Sequence, residues 1–220
     1  MSETVTISTL SGNETFAAYV ARPAKTPKAA ILVIQEIFGV NAGIRRKCDK
    51  LAEEGYLAVA PDLFWRLEPD VELDPDVEPE FQRALDLMGK FNQDQGIRDI
   101  EATIHHIRRE EGVPKVGCVG YCLGGRLAYM TAARTDVDAS VGYYGVGIDG
   151  LLDEKHAIAH PLMLHIPDRR RVRRQGYTKG HACRAGRPSE GHAPRLRGAR
   201  SRLRHRIRQA ALGRGRATGR

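Results

Sequence analysis

Residues Lys115-Val116-Gly117-Cys118-Val119 form a short apolar run, and Gly120-Tyr121-Cys122-Leu123-Gly124-Gly125 follows it directly. A helix is predicted over residues 123–134. A strand that passes through a glycine-framed bend straight into a helix commits this part of the chain to alternating strands and helices. Glycines two residues either side of Cys122 allow a strained turn, so the spacing predicts a side chain standing exposed above the edge of a sheet. Thiolate is a strong nucleophile, and the start of a helix favours the anion through its dipole. The pattern has two readings: an acyl-transfer nucleophile, or a tight strand–helix turn with a half-buried cysteine.

The rest of the chain extends the alternation. Thr4–Thr9 and Thr15–Ala21 alternate as strands do, with Ser11-Gly12-Asn13 as the turn between them. Ala29–Ile34 is a continuous run rich in β-branched residues, expected of a strand covered on both faces. Asn41 is placed to cap a helix with apolar positions Ile44, Cys48, Leu51 and Ala52, ending at Gly55. Strand 56–60 follows, then an acidic excursion loop between Trp65 and Glu80. Phe81, Ala84, Leu85, Met88 and Phe91 fall at helical spacing, as do Ile97, Ile100, Ile104 and Ile107. Strands are predicted over 115–121, 139–143 and 161–166. The expected fold is α/β, a mostly parallel sheet with helices on both faces. Ligands in such sheets bind beyond the carboxyl ends of strands, where Glu36, Cys122 and Tyr144 are all expected.

Composition divides the chain. Residues 169–220 hold 17 Arg and Lys179 against one acid, Glu190, a net of +17 that leaves −9 for the remainder of a chain of overall charge +8. Such a segment has too little apolar surface to offset its conformational entropy, so it reads as a disordered tail after a domain spanning 1–168. No stretch of 18 apolar residues could span a membrane. MSETVTISTL lacks the features of a secretory signal. Cys48, Cys118, Cys122 and Cys183 show neither metal-site nor disulfide spacing. The expectation is a cytoplasmic monomer with reduced thiols and neither cofactor nor metal.

Four blocks then resemble the dienelactone hydrolase family, a branch of the α/β-hydrolase fold. They are Gln35-Glu36-Ile37-Phe38-Gly39-Val40-Asn41, Ala60-Pro61-Asp62-Leu63, Gly117 to Gly125, and Val141-Gly142-Tyr143-Tyr144-Gly145-Val146-Gly147. The resemblance covers residues 1–168 and implies hydrolysis of a small ester or lactone through a Cys-His-Asp triad. It implies Cys122 as nucleophile, Glu36 as the carboxylate that takes its proton, and the N–H groups of Ile37 and Leu123 as the oxyanion hole. Physics agrees: an N–H in a helix's first turn is an orphan donor, able to meet a developing oxyanion. A carboxylate beside a thiol also disfavours the thiolate, which predicts a neutral thiol at rest.

The departures from the family pattern are informative. The position of the triad acid is occupied by Arg170, with Asp168 two residues early as a displaced substitute. His181, His192 and His205 do not stand in the family's Gly-His block, and none takes the role of triad His. His105 and His106 read as solvated helix residues and His165 as structural. The family's substrate-binding Arg and Tyr fall near Phe81 and Leu85, which read as core, leaving Arg83 and Tyr144 as weak substrate-binding candidates. The break near residue 168 suggests a frameshift, which would impair catalysis. An alternative reading is a degenerate hydrolase scaffold whose basic segment binds nucleic acid, non-specifically at least. A further one keeps a weak thioesterase-like activity through Cys122 and Glu36 alone.

Overall fold

The computed structural model describes residues 1–167. The expectations for Asp168 and for residues 169–220 lie outside the described residues. Among the described residues, seven strands make one sheet in the order β1-β2-β4-β3-β5-β6-β7. In chain order they are β1 (Ser2–Ser8), β2 (Thr15–Ala21), β3 (Ala30–Ile34), β4 (Leu57–Pro61), β5 (Val116–Tyr121), β6 (Ala139–Tyr143) and β7 (Leu162–His165). β1 and β2 form a hairpin and β2 runs antiparallel to β4, while the strands from β4 to β7 are parallel. Four helices connect them: α1 (Ala42–Glu53), α2 (Glu78–Lys90), α3 (Gln93–Arg109) and α4 (Leu123–Arg134).

Strand alternation sorts the core into two layers. Leu32 and Ile34 of β3 face a large cluster with Ile100, Ile104 and Ile107 of α3 and Leu127 of α4. Ile31 and Val33, one residue out of phase, face Ile44 and Cys48 of α1. Burial of a side chain such as Ile104 contributes about 1.5–3 kcal/mol. The chain leaves β3 through α1 toward β4 on one side, and leaves β5 through α4 toward β6 on the other. The strand order therefore reverses between β3 and β5, which is where an open sheet forms a crevice at the carboxyl ends.

Local signals account for most boundaries. The Asn41 carboxamide oxygen accepts the N–H groups of Gly43 and Ile44, so α1 starts where expected. The apolar stripe of α2 differs from its prediction by one position. Leu87 is buried, whereas Met88 is exposed, because the stripe passes from Ala84 through Leu87 to Phe91. The excursion after β4 is pinned rather than loose. The Asp62 carboxylate accepts Phe64 N–H at 2.9 Å and Asp70 N–H at 2.8 Å. Burial raises the Asp62 carboxyl above its ordinary range, and these N–H groups oppose the rise. Further on, Leu73 N–H donates to Phe38 O, Asn41 Nδ2 to Leu73 O, and Arg45 pairs with Glu72. The 3₁₀ segment Ile148–Ala157 carries no signal used above. Long-range ties hold it, from Tyr129 Oη to Leu151 O and from Arg134 to Glu154.

Candidate active site

Three parallel strands end in register, and that sets the site. Ile34 of β3, Gly120 of β5 and Gly142 of β6 are direct partners across the sheet. Glu36, Cys122 and Tyr144 each lie two residues beyond that row, on neighbouring strands about 4.8 Å apart. Cys122 is the N-cap residue of α4 with φ 54° and ψ −113°, the strained bend that the glycine frame predicts. Its N–H donates to Tyr143 O at 3.0 Å, locking the bend to β6. Tyr144 also has positive φ, 42°. Its hydroxyl donates to Glu36 Oε1 over a long 3.4 Å, so β3 and β6 reach each other around Cys122.

The glycines bring these backbones together. A Cβ on Gly124 would lie 2.5 Å from the carbonyl oxygens of both Ile34 and Gln35. A Cβ on Gly120 would collide with the backbone of Gly124. The first turn of α4 thus rests directly on the end of β3, next to the chain that carries Glu36 and Ile37. This packing has a consequence that the spacing does not predict. Cys122 is 7% exposed, not standing free above the sheet, because the bend sinks between the ends of β3 and β6. Leu123 and Ile37 are buried beside it.

Glu36 is half-buried, and desolvation raises its carboxyl above the ordinary carboxylate range. The Lys47 ammonium and the Tyr144 hydroxyl pull the other way. Lys47 comes from α1, and its Nζ lies 4.8 Å from the centroid of the Tyr121 ring. No motif marks Lys47 in the sequence. Only the docking of α1 across the end of β3 brings it near Glu36, so residue spacing could not have found it. Gln35, fully buried, uses its carboxamide oxygen to accept Leu63 N–H at 3.0 Å, joining β3 to the turn after β4.

The remaining candidates are dispersed. Arg83 is exposed on α2 and forms an ion pair with Glu68, while Phe81 and Leu85 pack against the core as expected. His105 and His106 are half-buried rather than solvated. They line a cleft with Thr6–Leu10 of the first hairpin, because α3 lies against β1 there. His106 Nε2 lies 3.7 Å from Glu111 Oε1. His165 is exposed, yet its ring stacks on Tyr143 with centroids 4.4 Å apart. Among the described residues, no group of His, Cys, Asp and Glu has the arrangement of a metal site, and no helix is long and apolar enough to cross a membrane.

Several known proteins are similar to this chain. The family model described as "Dienelactone hydrolase family" matches residues 16–173. A carboxymethylenebutenolidase of Pseudomonas putida is 42% identical over 167 residues, 76% of this chain and 70% of that protein. Carboxymethylenebutenolidase 1 of Cupriavidus pinatubonensis is 38% identical over 170 residues, 76% of this chain and 71% of its own length. Among solved structures, a candidate dienelactone hydrolase of Klebsiella pneumoniae superposes with TM-score 0.58 at 26% identity, covering 76% of this chain and 86% of that one. A Pyrococcus furiosus esterase shares the fold with TM-score 0.55 at 16% identity, covering 74% of this chain and 70% of its own.

Proposed function

The chain belongs to the dienelactone hydrolase family, and from that premise we propose that it accepts the acyl group of a small ester or lactone on Cys122. The observation that carries this reading is the in-register row: Glu36, Cys122 and Tyr144 leave adjacent strands at one level, at the point where the strand order reverses. In the proposed first step the Cys122 sulfur attacks the ester carbonyl carbon, and Glu36 takes the thiol proton. The N–H groups of Leu123 and Ile37 meet the oxyanion that forms. Collapse of that intermediate breaks the acyl C–O bond, protonated Glu36 returns its proton to the alkoxide, and an acyl-cysteine remains; the alcohol departs from an ester and stays tethered to the acyl group of a lactone. Water then releases the acid and restores the thiol.

The raised carboxyl of Glu36 sets the pH dependence of the first step. A protonated Glu36 cannot act as base, so acylation accelerates as pH rises through its elevated pKa. With Cys122 only 7% exposed, the site selects a small acyl group. We further propose that water-driven release is slow. Arg170 stands at the position of the triad acid, and no histidine of residues 169–220 stands in the family's motif. Nucleophile and oxyanion donors alone still accelerate acyl transfer.

The test is pre-steady-state hydrolysis of p-nitrophenyl acetate. A burst of nitrophenolate close to one equivalent, followed by a slow steady rate, is expected. Cys122→Ala should abolish the burst, and Glu36→Gln should slow it by about a hundredfold. Equal traces from the unaltered chain and Cys122→Ala would end this reading.

A further inference from the structure

Tyr144 reaches Glu36 from a strained loop rather than from a packed core. Its φ is 42° and it is 37% exposed. Its ring meets those of Tyr121 and Tyr143 at a tilt, with centroids 6.3 and 6.5 Å apart. A positive φ in a residue other than glycine persists only where the surrounding structure over-determines it. Two backbone bonds fix the near side of this loop. Tyr143 O accepts Cys122 N–H at 3.0 Å, and Tyr144 N–H donates to His165 O at 2.8 Å. Arg126 fixes the far side. It stands one helical turn beyond Cys122 on α4, its N–H donating to Cys122 O at 3.2 Å. Its Nη1 donates to Gly147 O at 2.6 Å and to Val146 O at 3.3 Å. Its Nε donates to Gln93 Oε1 at 2.7 Å, at the start of α3, which sets the plane of the guanidinium. Loop and helix touch backbone to backbone here: a Cβ on Gly145 would lie 2.7 Å from Gly125 C and 2.8 Å from Arg126 N.

We propose that Arg126 is a positioning residue of the acyl-transfer site, clamping the loop after β6 so that the Tyr144 hydroxyl stays on the Glu36 carboxylate. This role rests on the reading of Cys122 as acyl acceptor and Glu36 as its base. The contacts are continuous. Gln93 orients the guanidinium, the guanidinium holds the carbonyls of Val146 and Gly147, and Tyr144 just before them donates to Glu36 Oε1. A guanidinium suits the task because its donors form a rigid planar fork, so one side chain holds a second helix and a loop together. Glu36 is faced by Lys47 from α1, by Tyr121 at the end of β5 and by Tyr144, with Cys122 in the same row. Lys47 acts on it as a charge through space. Tyr144 acts through a directed bond, and the length of that bond depends on where the loop sits. The bond is already long at 3.4 Å, so release of the loop breaks it. Glu36 then loses its aim, where a misplacement of about 1 Å can cost up to about a hundredfold in rate. It also loses a donor that favours its charged form.

The test is the p-nitrophenyl acetate burst of the full chain, followed across pH in Tyr144→Phe, Arg126→Met, Arg126→Lys and the double variant Tyr144→Phe, Arg126→Met. Tyr144→Phe should slow the burst about tenfold and Arg126→Met about fivefold, and both should move the pH profile of acylation to higher pH. The double variant should be no slower than Tyr144→Phe alone, because the two residues act in series. Arg126→Lys keeps a donor for Gly147 O and should recover most of the rate. Gln93→Ala, on the first turn of α3, should slow the burst about twofold with the same displacement in pH, and it stands in for Arg126→Met should that variant not fold. A burst with unaltered rate and pH profile in these variants overturns the role given to Arg126. So does a double variant whose losses multiply, or a loss confined to thermal stability. A burst missing from the unaltered chain would end the acyl-transfer reading and this role together, whereas a normal burst indifferent to Arg126 ends this role alone.

Discussion

The part of the sheet made of β2, β4 and β3 is covered on both faces, whereas among the described residues β5, β6 and β7 are covered only by α3 and α4. Cys122 stands at the boundary between these regions. The covered part supplies Glu36, Ile37 and the pinned loop around Asn41, all held by packing and caps. The open part supplies the bend itself and Tyr144. Rigidity reaches the site from both sides, through Gly124 seated on the end of β3 and through the Cys122 N–H held by Tyr143 O of β6. The strain at Cys122 is tolerated because neighbours on two strands over-determine the bend.

Substitutions can break or sharpen this contrast. Ile104→Ala, in the fully buried layer under α3, should cost about 4 kcal/mol, while Val141→Ala on the open face should cost about 1 kcal/mol or less. Urea denaturation of both variants measures the difference, and similar midpoints would show that the open face is covered in solution. Gly124→Ala comes next. Its methyl would lie 2.5 Å from two carbonyl oxygens, so a loss of about 3 kcal/mol is expected. Thermal unfolding reads that loss, and an unchanged Tm would mean that α4 does not rest on β3 as described. Asn41→Ala removes the cap of α1 and its tie to Leu73, with an expected cost of about 1 kcal/mol by the same measurement.

The smallest effect concerns Glu36. A carboxyl raised by burial destabilises the fold once it ionises, so stability falls as pH climbs from the unfolded-state carboxylate pKa through the elevated folded one. Glu36→Gln removes this loss and should raise stability above that window by about 1 kcal/mol or less, while flattening the profile. Stability curves across mildly acidic to neutral pH check it. A variant that is less stable than the unaltered chain at neutral pH would contradict the assigned cause.

Much of this was legible in the sequence, and the exceptions have physical reasons. The bend at Cys122, the Asn41 cap and the alternating strands follow from local rules, because each depends on residues within one turn or one hairpin. The row of Glu36, Cys122 and Tyr144 could be anticipated only as three strand ends, since register across β3, β5 and β6 is a property of the sheet. Burial of Cys122 was misread. The glycines that permit the strained turn also permit close approach of β3, and the second effect buries what the first was expected to expose. Lys47 was invisible because its place beside Glu36 depends on how α1 docks. Met88 and Leu87 exchanged places because a stripe one residue off in phase still looks helical.

The central claim is that the Cys122 sulfur accepts the acyl group, and peptide mass spectrometry after a brief pulse of p-nitrophenyl acetate tests it most directly. The account predicts one acetyl group on the peptide containing Cys122, with acetylation slowed by Glu36→Gln and absent from Cys122→Ala. An acetyl group found on another residue, or retained in full by Cys122→Ala, would contradict it.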